Sequence, residues 1–152
     1  MGYDWVETPL ATLSAPRHHA PSCVYRGFCR VGCSTNAKQS QLVTYIPRAV
    51  KAGAEMRDLA MVGRVEVDAR DRATGVYYFR NGSWHFQRAK NVIVADYAIE
   101  TPRLLLNSAT PRFPDGLSNS SGLLGRCLMV QSNQAVFGVS DEMIRWNKGH
   151  PP

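Results

Sequence analysis

The chain has 152 residues, 44% of them hydrophobic, and a formal net charge of +6. This is the length of one ordinary domain, with enough apolar residues to build a core. The basic residues are scattered singly and alternate with acidic ones, so they predict a solvated basic surface and no nucleic-acid partner. No apolar run is long enough to cross a bilayer, and the first ten residues lack a signal-peptide pattern.

The first third of the sequence shows little periodicity. Residues 1–22 are rich in Pro, Ser, His and Thr and predict an irregular segment. A cysteine loop, CVYRGFCRVGC, follows at residues 23–33. Apolar residues at helical spacing then predict a short helix from about Ile46 to Lys51, which tolerates Pro47 in its first turn and is closed by Gly53.

From Glu55 onward the hydrophobic period changes to two, which is typical of β-strands. Strands are predicted at residues 61–67, at VYYFR (76–80) and at WHFQRA (84–89). The segments DRATG and NGS supply the turns between them. We therefore expect three antiparallel strands.

A different pattern follows the third strand. NVIVA, residues 91–95, is a continuous β-branched run and predicts a strand buried on both faces. TPRLLLNSA then predicts a helix in which Thr101 is the N-cap and Pro102 occupies the first helical position. The expected fold class is α/β, with a small antiparallel sheet and a strand–loop–helix unit.

Three of the four cysteines, Cys23, Cys29 and Cys33, fall in one glycine-containing loop. The lack of an export signal disfavours disulfides, and the polar loop offers little core for buried thiols. The spacing does not match a zinc ribbon, but His18 or His19 would complete a zinc site in a small binding module with a basic surface. A tightly bent loop can instead place three thiolates on an iron–sulfur cluster. The residues alone leave both interpretations open.

Three segments together resemble the glucose–methanol–choline (GMC) oxidoreductase family. They are the cysteine loop, VIVA with the following AIETPRLLLNS, and FPDGLSNSSGLLGRCLM. The resemblance runs from about Cys23 to Met129, and TPRLLLNS is similar to the second signature of the family. The cysteine spacing resembles that of the bacterial gluconate 2-dehydrogenase and FAD-dependent glucose dehydrogenase flavoprotein subunits.

The resemblance implies an FAD-dependent enzyme that oxidises a CH–OH group of a sugar, a sugar acid or a related alcohol. It implies that Cys23, Cys29 and Cys33 hold a 3Fe-4S cluster, which relays electrons to a cytochrome-type acceptor. The implied partners are the small-molecule substrate, a small subunit and a cytochrome c subunit. The implied location is the periplasmic face of the inner membrane.

The resemblance also identifies candidate FAD contacts. Val62 and the run Ala95, Asp96, Tyr97 and Ala98 take the positions that lie beside FAD in the family. Family members usually carry a small residue where this chain has Asp96 and Tyr97. Because a carboxylate repels a diphosphate, we expect Asp96 to weaken FAD binding.

The resemblance predicts three parts of the chain. Residues 1–38 form the irregular segment with the cysteine loop, residues 39–110 a partial FAD-binding domain, and residues 111–152 the start of a truncated substrate-domain segment. The sequence has no Gly-x-Gly-x-x-Gly turn, and none of its four histidines matches the general base of the family. We therefore expect a fragment that has no catalytic residue and is inactive alone.

Overall fold

The computed structural model describes residues 10–27, 29, 31–131, 138–139 and 141. The chain divides into two compact units. Unit 1 comprises residues 1–56 and 135–152, and unit 2 comprises residues 57–134. Within the described residues, neither helix is long and apolar enough to span a bilayer.

Unit 1 contains one short helix, α1, from Tyr45 to Lys51. It confirms the predicted helix and begins one residue earlier. Gly53, at φ +95°, follows its end as expected for a residue that closes a helix. The described part of the predicted irregular segment, residues 10–22, contains only isolated bridges and turns, while residues 1–9 lie outside the described residues.

Unit 2 is built on the predicted three-stranded antiparallel sheet. The strands are β1 (Met61–Val67), β2 (Ala73–Arg80) and β3 (Ser83–Arg88), in the order β1-β2-β3. Strand β2 begins three residues before the predicted VYYFR segment, so the first turn comprises residues 68–72 and contains only the first two residues of DRATG. The Asp68 carboxylate closes this turn by accepting hydrogen bonds from the backbone N–H groups of Arg70 and Arg72, at 2.8 and 3.0 Å.

The second helix, α2 (Tyr97–Asn107), packs on β1 and forms the core of unit 2. The buried hydrophobic side chains of this core are Val65, Leu104 and Leu117. Ser108 is fully buried beside them: its Oγ accepts a hydrogen bond from the Val65 N–H at 2.9 Å and donates one to the Leu104 carbonyl at 2.7 Å. The serine hydroxyl therefore ties the end of the helix to the middle of the strand.

The prediction that NVIVA forms a strand buried on both faces is wrong. Residues 91–96 have no regular secondary structure, and none of the described segments pairs with them. Val92 and Val94 pack against the core, whereas Ile93 between them is 89% exposed. Because a strand needs a neighbour for its backbone hydrogen bonds, the apolar run covers the core as an extended loop.

The predicted start of the second helix is also wrong. Asp96 is the N-cap and α2 begins at Tyr97, so Pro102 lies inside the helix and not at its first position. Thr101 is helical, and its Oγ1 accepts a hydrogen bond from the Asp96 N–H at 3.1 Å. Since proline has no N–H to offer the Ala98 carbonyl, the first turn of α2 lacks one helical hydrogen bond.

Tyr97 has an unfavourable backbone conformation that glycine would relieve. Its φ is +65°. Residues other than glycine adopt this left-handed conformation at a cost of roughly 1–2 kcal/mol. Its side chain is 87% exposed, so little burial would be lost. We expect Tyr97→Gly to raise the free energy of unfolding by about 0.5–1 kcal/mol. This is less than the full relief of the backbone strain, because glycine also increases the conformational entropy of the unfolded chain. Urea denaturation of the full chain measures the change.

Ile99 gives the matched control, because it is an exposed residue of the same helix outside the positive-φ residues. Ile99→Gly is expected to lower the free energy of unfolding by about 0.5–1 kcal/mol. Equal destabilisation by the two substitutions would contradict the backbone argument.

Candidate functional site

The three clustered cysteines line one small cavity in unit 1. Its volume is about 270 Å³, and Cys23, Cys29 and Cys33 are all free and half-buried. Gly27 and Gly32 also line it, at φ +76° and +144°. These conformations favour glycine and allow the loop to fold back on itself. The structure thus arranges the three candidate ligands around a common space.

Backbone N–H groups donate hydrogen bonds to two of the three sulfurs in this cavity. The Tyr25 N–H donates to Cys23 Sγ at 3.3 Å, and the Lys38 N–H donates to Cys33 Sγ at 3.4 Å. The Lys38 N–H, with the Thr35 hydroxyl 3.6 Å from the sulfur, lowers the pKa of Cys33 from 9.0 to about 7. Because the thiolate is the form that binds metals, the loop is chemically suited to metal ligation.

The described side chains around this cavity do not form a preassembled site for a single metal ion. Within the described part of the chain, no three His, Cys, Asp or Glu side chains lie close enough together to hold one. A cluster attaches its cysteines to different iron atoms, so its thiolates lie farther apart than ligands that share one ion. The three thiols and the N–H groups that bond to two of the sulfurs are donors of the type that hold an iron–sulfur cluster.

The histidines of the zinc interpretation lie at another cavity. His18 and His19 line a space of about 450 Å³ together with Arg48, and none of the three cysteines lines it. Thr35 is the residue that the two cavities share among the described ones. The structure therefore does not gather the cysteines and histidines into one tetrahedral site.

A groove in unit 2 brings together two of the candidate FAD contacts. Val62 and Asp96 line an open groove of about 790 Å³ between the start of β1 and helix α2. Ala95, Tyr97 and Ala98 are exposed and flank Asp96 along the chain without lining the groove. The predicted positions thus lie at or next to one surface depression.

The aromatic wall of this groove was not predicted. The register of β1 shifts between Val62 and Arg64, which makes Gly63 the extra residue of a bulge. The Trp84 indole lies against Gly63, where any Cβ would collide with it. A glycine in the interior of a predicted strand is the sequence signal for such a close approach.

Charged side chains line the helix side of the groove. Arg103 donates to the Glu100 carboxylate at 2.8 Å, and Asp96 and Asn107 line the same space. The sequence pattern did not identify Trp84, Glu100, Arg103 and Asn107 as groove residues. Asp96 is exposed, so water screens its charge and its repulsion of a phosphate is weaker than at a buried position.

The lowered pKa of Cys33 predicts a reactive thiol in iron-free protein. We expect the rate of Cys33 alkylation by iodoacetamide, followed by peptide mass spectrometry, to reach half its maximum near pH 7. Because folding lowers this pKa, the thiolate adds stability that is complete above pH 9 and is lost as the pH falls through about 7.

The Thr35 hydroxyl provides the control for this titration. Thr35→Val removes one hydrogen bond to the sulfur and should move the midpoint to higher pH. A midpoint near pH 9 in both proteins would contradict the proposed hydrogen bonding.

Comparison with known proteins identifies the family. Residues 12–132 match the family model described as GMC oxidoreductase. The 2-methyl-1,2-propanediol dehydrogenase of Mycolicibacterium austroafricanum is 36% identical over 131 residues, which are 85% of this chain and 24% of the relative. The fructose dehydrogenase large subunit of Gluconobacter japonicus is 35% identical over 150 residues, 98% of this chain and 27% of the relative.

A third relative is also similar over most of this chain and over only part of its own length. The paromamine 6'-oxidase of Streptomyces fradiae is 33% identical over 145 residues, 93% of this chain and 27% of the relative. The chain thus spans about a quarter of the length of these relatives. The matched region corresponds to the N-terminal, FAD-binding domain of the family, and the partial α/β architecture agrees with it. The chain therefore belongs to the GMC oxidoreductase family.

Proposed function

We propose that the chain is part of an FAD-dependent dehydrogenase that oxidises a CH–OH group of a sugar, a sugar acid or a related alcohol. Its electrons leave through a 3Fe-4S cluster on Cys23, Cys29 and Cys33. The observation that carries the proposal is the common cavity of three free thiols within a region that matches the GMC family. Two relatives are named as dehydrogenases of a diol and of fructose, which supports the substrate class.

FAD is proposed to contact the groove of unit 2. Val62 and the Trp84 ring beside Gly63 offer an apolar surface to a planar ring system. The exposed backbone from Ala95 to Ala98 is the second proposed contact. FAD, when bound, supplies the hydride acceptor, and the residues of this chain position it.

The cysteine cavity is proposed as the electron exit. A bound cluster supplies a one-electron carrier, and the thiolates of Cys23, Cys29 and Cys33 hold it. The backbone N–H groups of Tyr25 and Lys38 bond to two of these sulfurs, and such bonds tune the potential of a cluster. The chain therefore contributes both the ligands and part of their electrostatic environment.

The acceptor is proposed to be a cytochrome c subunit, with a small subunit as a further partner, at the periplasmic face of the inner membrane. One relative is named as a large subunit, which supports a multi-subunit assembly. Co-purification of the full chain with a haem-containing partner from its source would test this part of the proposal.

Iron analysis tests the cluster. The full chain, produced and purified without oxygen, should carry about three iron atoms and a three-iron electron paramagnetic resonance signal. Cys29→Ser should remove most of the iron. Cys127→Ser is the matched control, because Cys127 is exposed and does not line the cavity. A folded, reduced protein without iron, or with zinc instead, would refute the cluster.

Flavin binding tests the groove independently of the cluster. Asp96→Gly and Asp96→Asn remove the same charge, and each should strengthen FAD binding about fivefold if the carboxylate costs about 1 kcal/mol beside the diphosphate. Bound flavin fluorescence in the full chain gives the affinity. Asp58→Asn is the control, since Asp58 lies in unit 2 outside the groove. Equal FAD retention in all variants would dismiss the role of Asp96.

A further inference from the structure

The second cavity of unit 1 takes no part in the proposed function. It measures about 450 Å³, and its lining combines apolar residues such as Val43 and Pro47 with the polar side chains of His18, His19, Asn36, Gln39 and Arg48. Guanidinium, imidazole and amide groups are hydrogen-bond donors to oxygen. The composition of the wall therefore suits a ligand rich in acceptor oxygens.

The turn that carries the two histidines is strained. Arg17 and Ala20 exchange backbone hydrogen bonds of 3.0 and 2.9 Å around it. His18 and His19 have φ values of +48° and +70°, the pattern of a type I′ turn, for which Asn-Gly is the favoured pair. Two bulky residues in such a turn are costly, and strain of this kind is concentrated at functional sites. The chain thus has imidazole side chains at two positions where Asn and Gly would give a more stable turn.

The segment around Asn36, which also lines the cavity, contains a second positive-φ position. Asn36 is also at positive φ, +58°, and the Gln39 side-chain amide donates to its carbonyl at 2.9 Å. The charged or titratable side chains that line the cavity are His18, His19 and Arg48, and none of the described lining residues carries a carboxylate. The net charge that the described lining side chains bring to this space is therefore positive.

We propose that this cavity binds a phosphate- or sulfate-type oxyanion, either free or as part of a phosphorylated molecule. Arg48 supplies a permanent positive charge, and the His18 and His19 imidazoles and the Asn36 and Gln39 amides add hydrogen-bond donors. A guanidinium with several further donors around it matches a tetrahedral anion, which has acceptor oxygens on every side, better than a planar carboxylate. Among the described residues the site shares only Thr35 with the cysteine cavity and no residue with the groove of unit 2.

Titration calorimetry with sodium sulfate on the full chain tests the site. Sulfate keeps both charges between pH 5.5 and 8, so any change in affinity over this range belongs to the protein. Arg48→Gln should weaken binding about tenfold or more, because it removes a charge-assisted hydrogen bond. Lys51→Gln is the matched control, since it removes the same charge from the same helix outside the cavity.

The histidines are tested without disturbing their turn. The double variant His18→Asn/His19→Gly places the favoured type I′ pair at the turn, so it should fold at least as well as the unchanged chain. The double variant should bind sulfate at least fivefold more weakly than the unchanged chain at both pH 5.5 and pH 8, because it lacks the two imidazole donors.

Pyrophosphate distinguishes the two sources of the anion. Binding at least tenfold tighter than that of sulfate assigns the site to the diphosphate group of a larger molecule, and equal binding assigns it to a free anion. Sulfate affinities that do not differ between the unchanged chain, Arg48→Gln and the double variant would overturn the proposal. So would the absence of binding at millimolar sulfate at both pH values.

Discussion

Leu104→Ala is expected to lower the free energy of unfolding of unit 2 by about 2–5 kcal/mol. Leu104 is 8% exposed and joins Val65 and Leu117 in the buried cluster between α2 and β1. Truncation removes apolar contacts and leaves a cavity that the surrounding residues fill only in part. Since the unit has few other buried side chains among its described residues, the loss is large relative to its total stability.

Urea denaturation followed by tryptophan fluorescence measures this effect. Ile99→Ala is the control, because Ile99 belongs to the same helix and its side chain is 65% exposed. It should change the free energy of unfolding by less than about 0.5 kcal/mol. Because alanine favours a helix at both positions, a similar loss in both variants would contradict the assignment of the loss to core packing at Leu104.

Ser108→Ala is expected to cost about 1–3 kcal/mol, although it removes a single oxygen atom. The serine Oγ is the acceptor of the Val65 N–H and the donor to the Leu104 carbonyl. Ser108 is fully buried, so water cannot easily replace the lost partner of the Val65 N–H. The cost therefore comes from leaving a buried backbone donor unsatisfied.

Hydrogen exchange gives a direct readout of this substitution. The Val65 amide proton should exchange faster in Ser108→Ala than in the unchanged chain. Ser83→Ala is the control, because Ser83 is exposed and its loss should cost less than about 0.5 kcal/mol. Unchanged protection of the Val65 amide would mean that another group accepts its hydrogen bond.

The antiparallel sheet was predictable because its pattern is local. Alternating apolar residues in β1, the aromatic residues of β2 and β3, and the Asn81-Gly82 turn agree on one arrangement. The centroids of the cross-strand pairs Tyr77–Phe86 and Phe79–Trp84 are 4.9 and 5.6 Å apart, as this register requires. Local sequence signals therefore sufficed where the partner strands are neighbours in the chain.

The connection to α2 was not predictable from local signals. The β-branched run around Ile93 has strand propensity, but a strand also needs a partner, and propensity does not reveal whether one is present. Thr101 and Pro102 form a typical helix start, yet the helix begins at Tyr97. Packing of α2 on β1 has overridden the preferred capping residues.

The candidate sites were predictable in different degrees. The spacing of Cys23, Cys29 and Cys33 identified a cluster of thiols that lines one cavity. The groove residues Trp84 and Arg103 come from different elements, and no spacing rule connects them to Val62. Their proximity depends on the bulge at β1 and on the tertiary contact of α2, which the sequence pattern does not encode locally.

The topology of the meander has a consequence for how the protein is made. Each strand pairs with the next one along the chain through a short turn, so the sheet contains few long-range contacts. Hairpins form in microseconds, whereas translation adds about 5–20 residues per second. The three strands are therefore expected to pair during synthesis, before α2 has left the ribosome. The nascent chain then exposes the apolar side of β1 until Leu104 arrives to cover it, and this interval is when the protein most needs protection from aggregation.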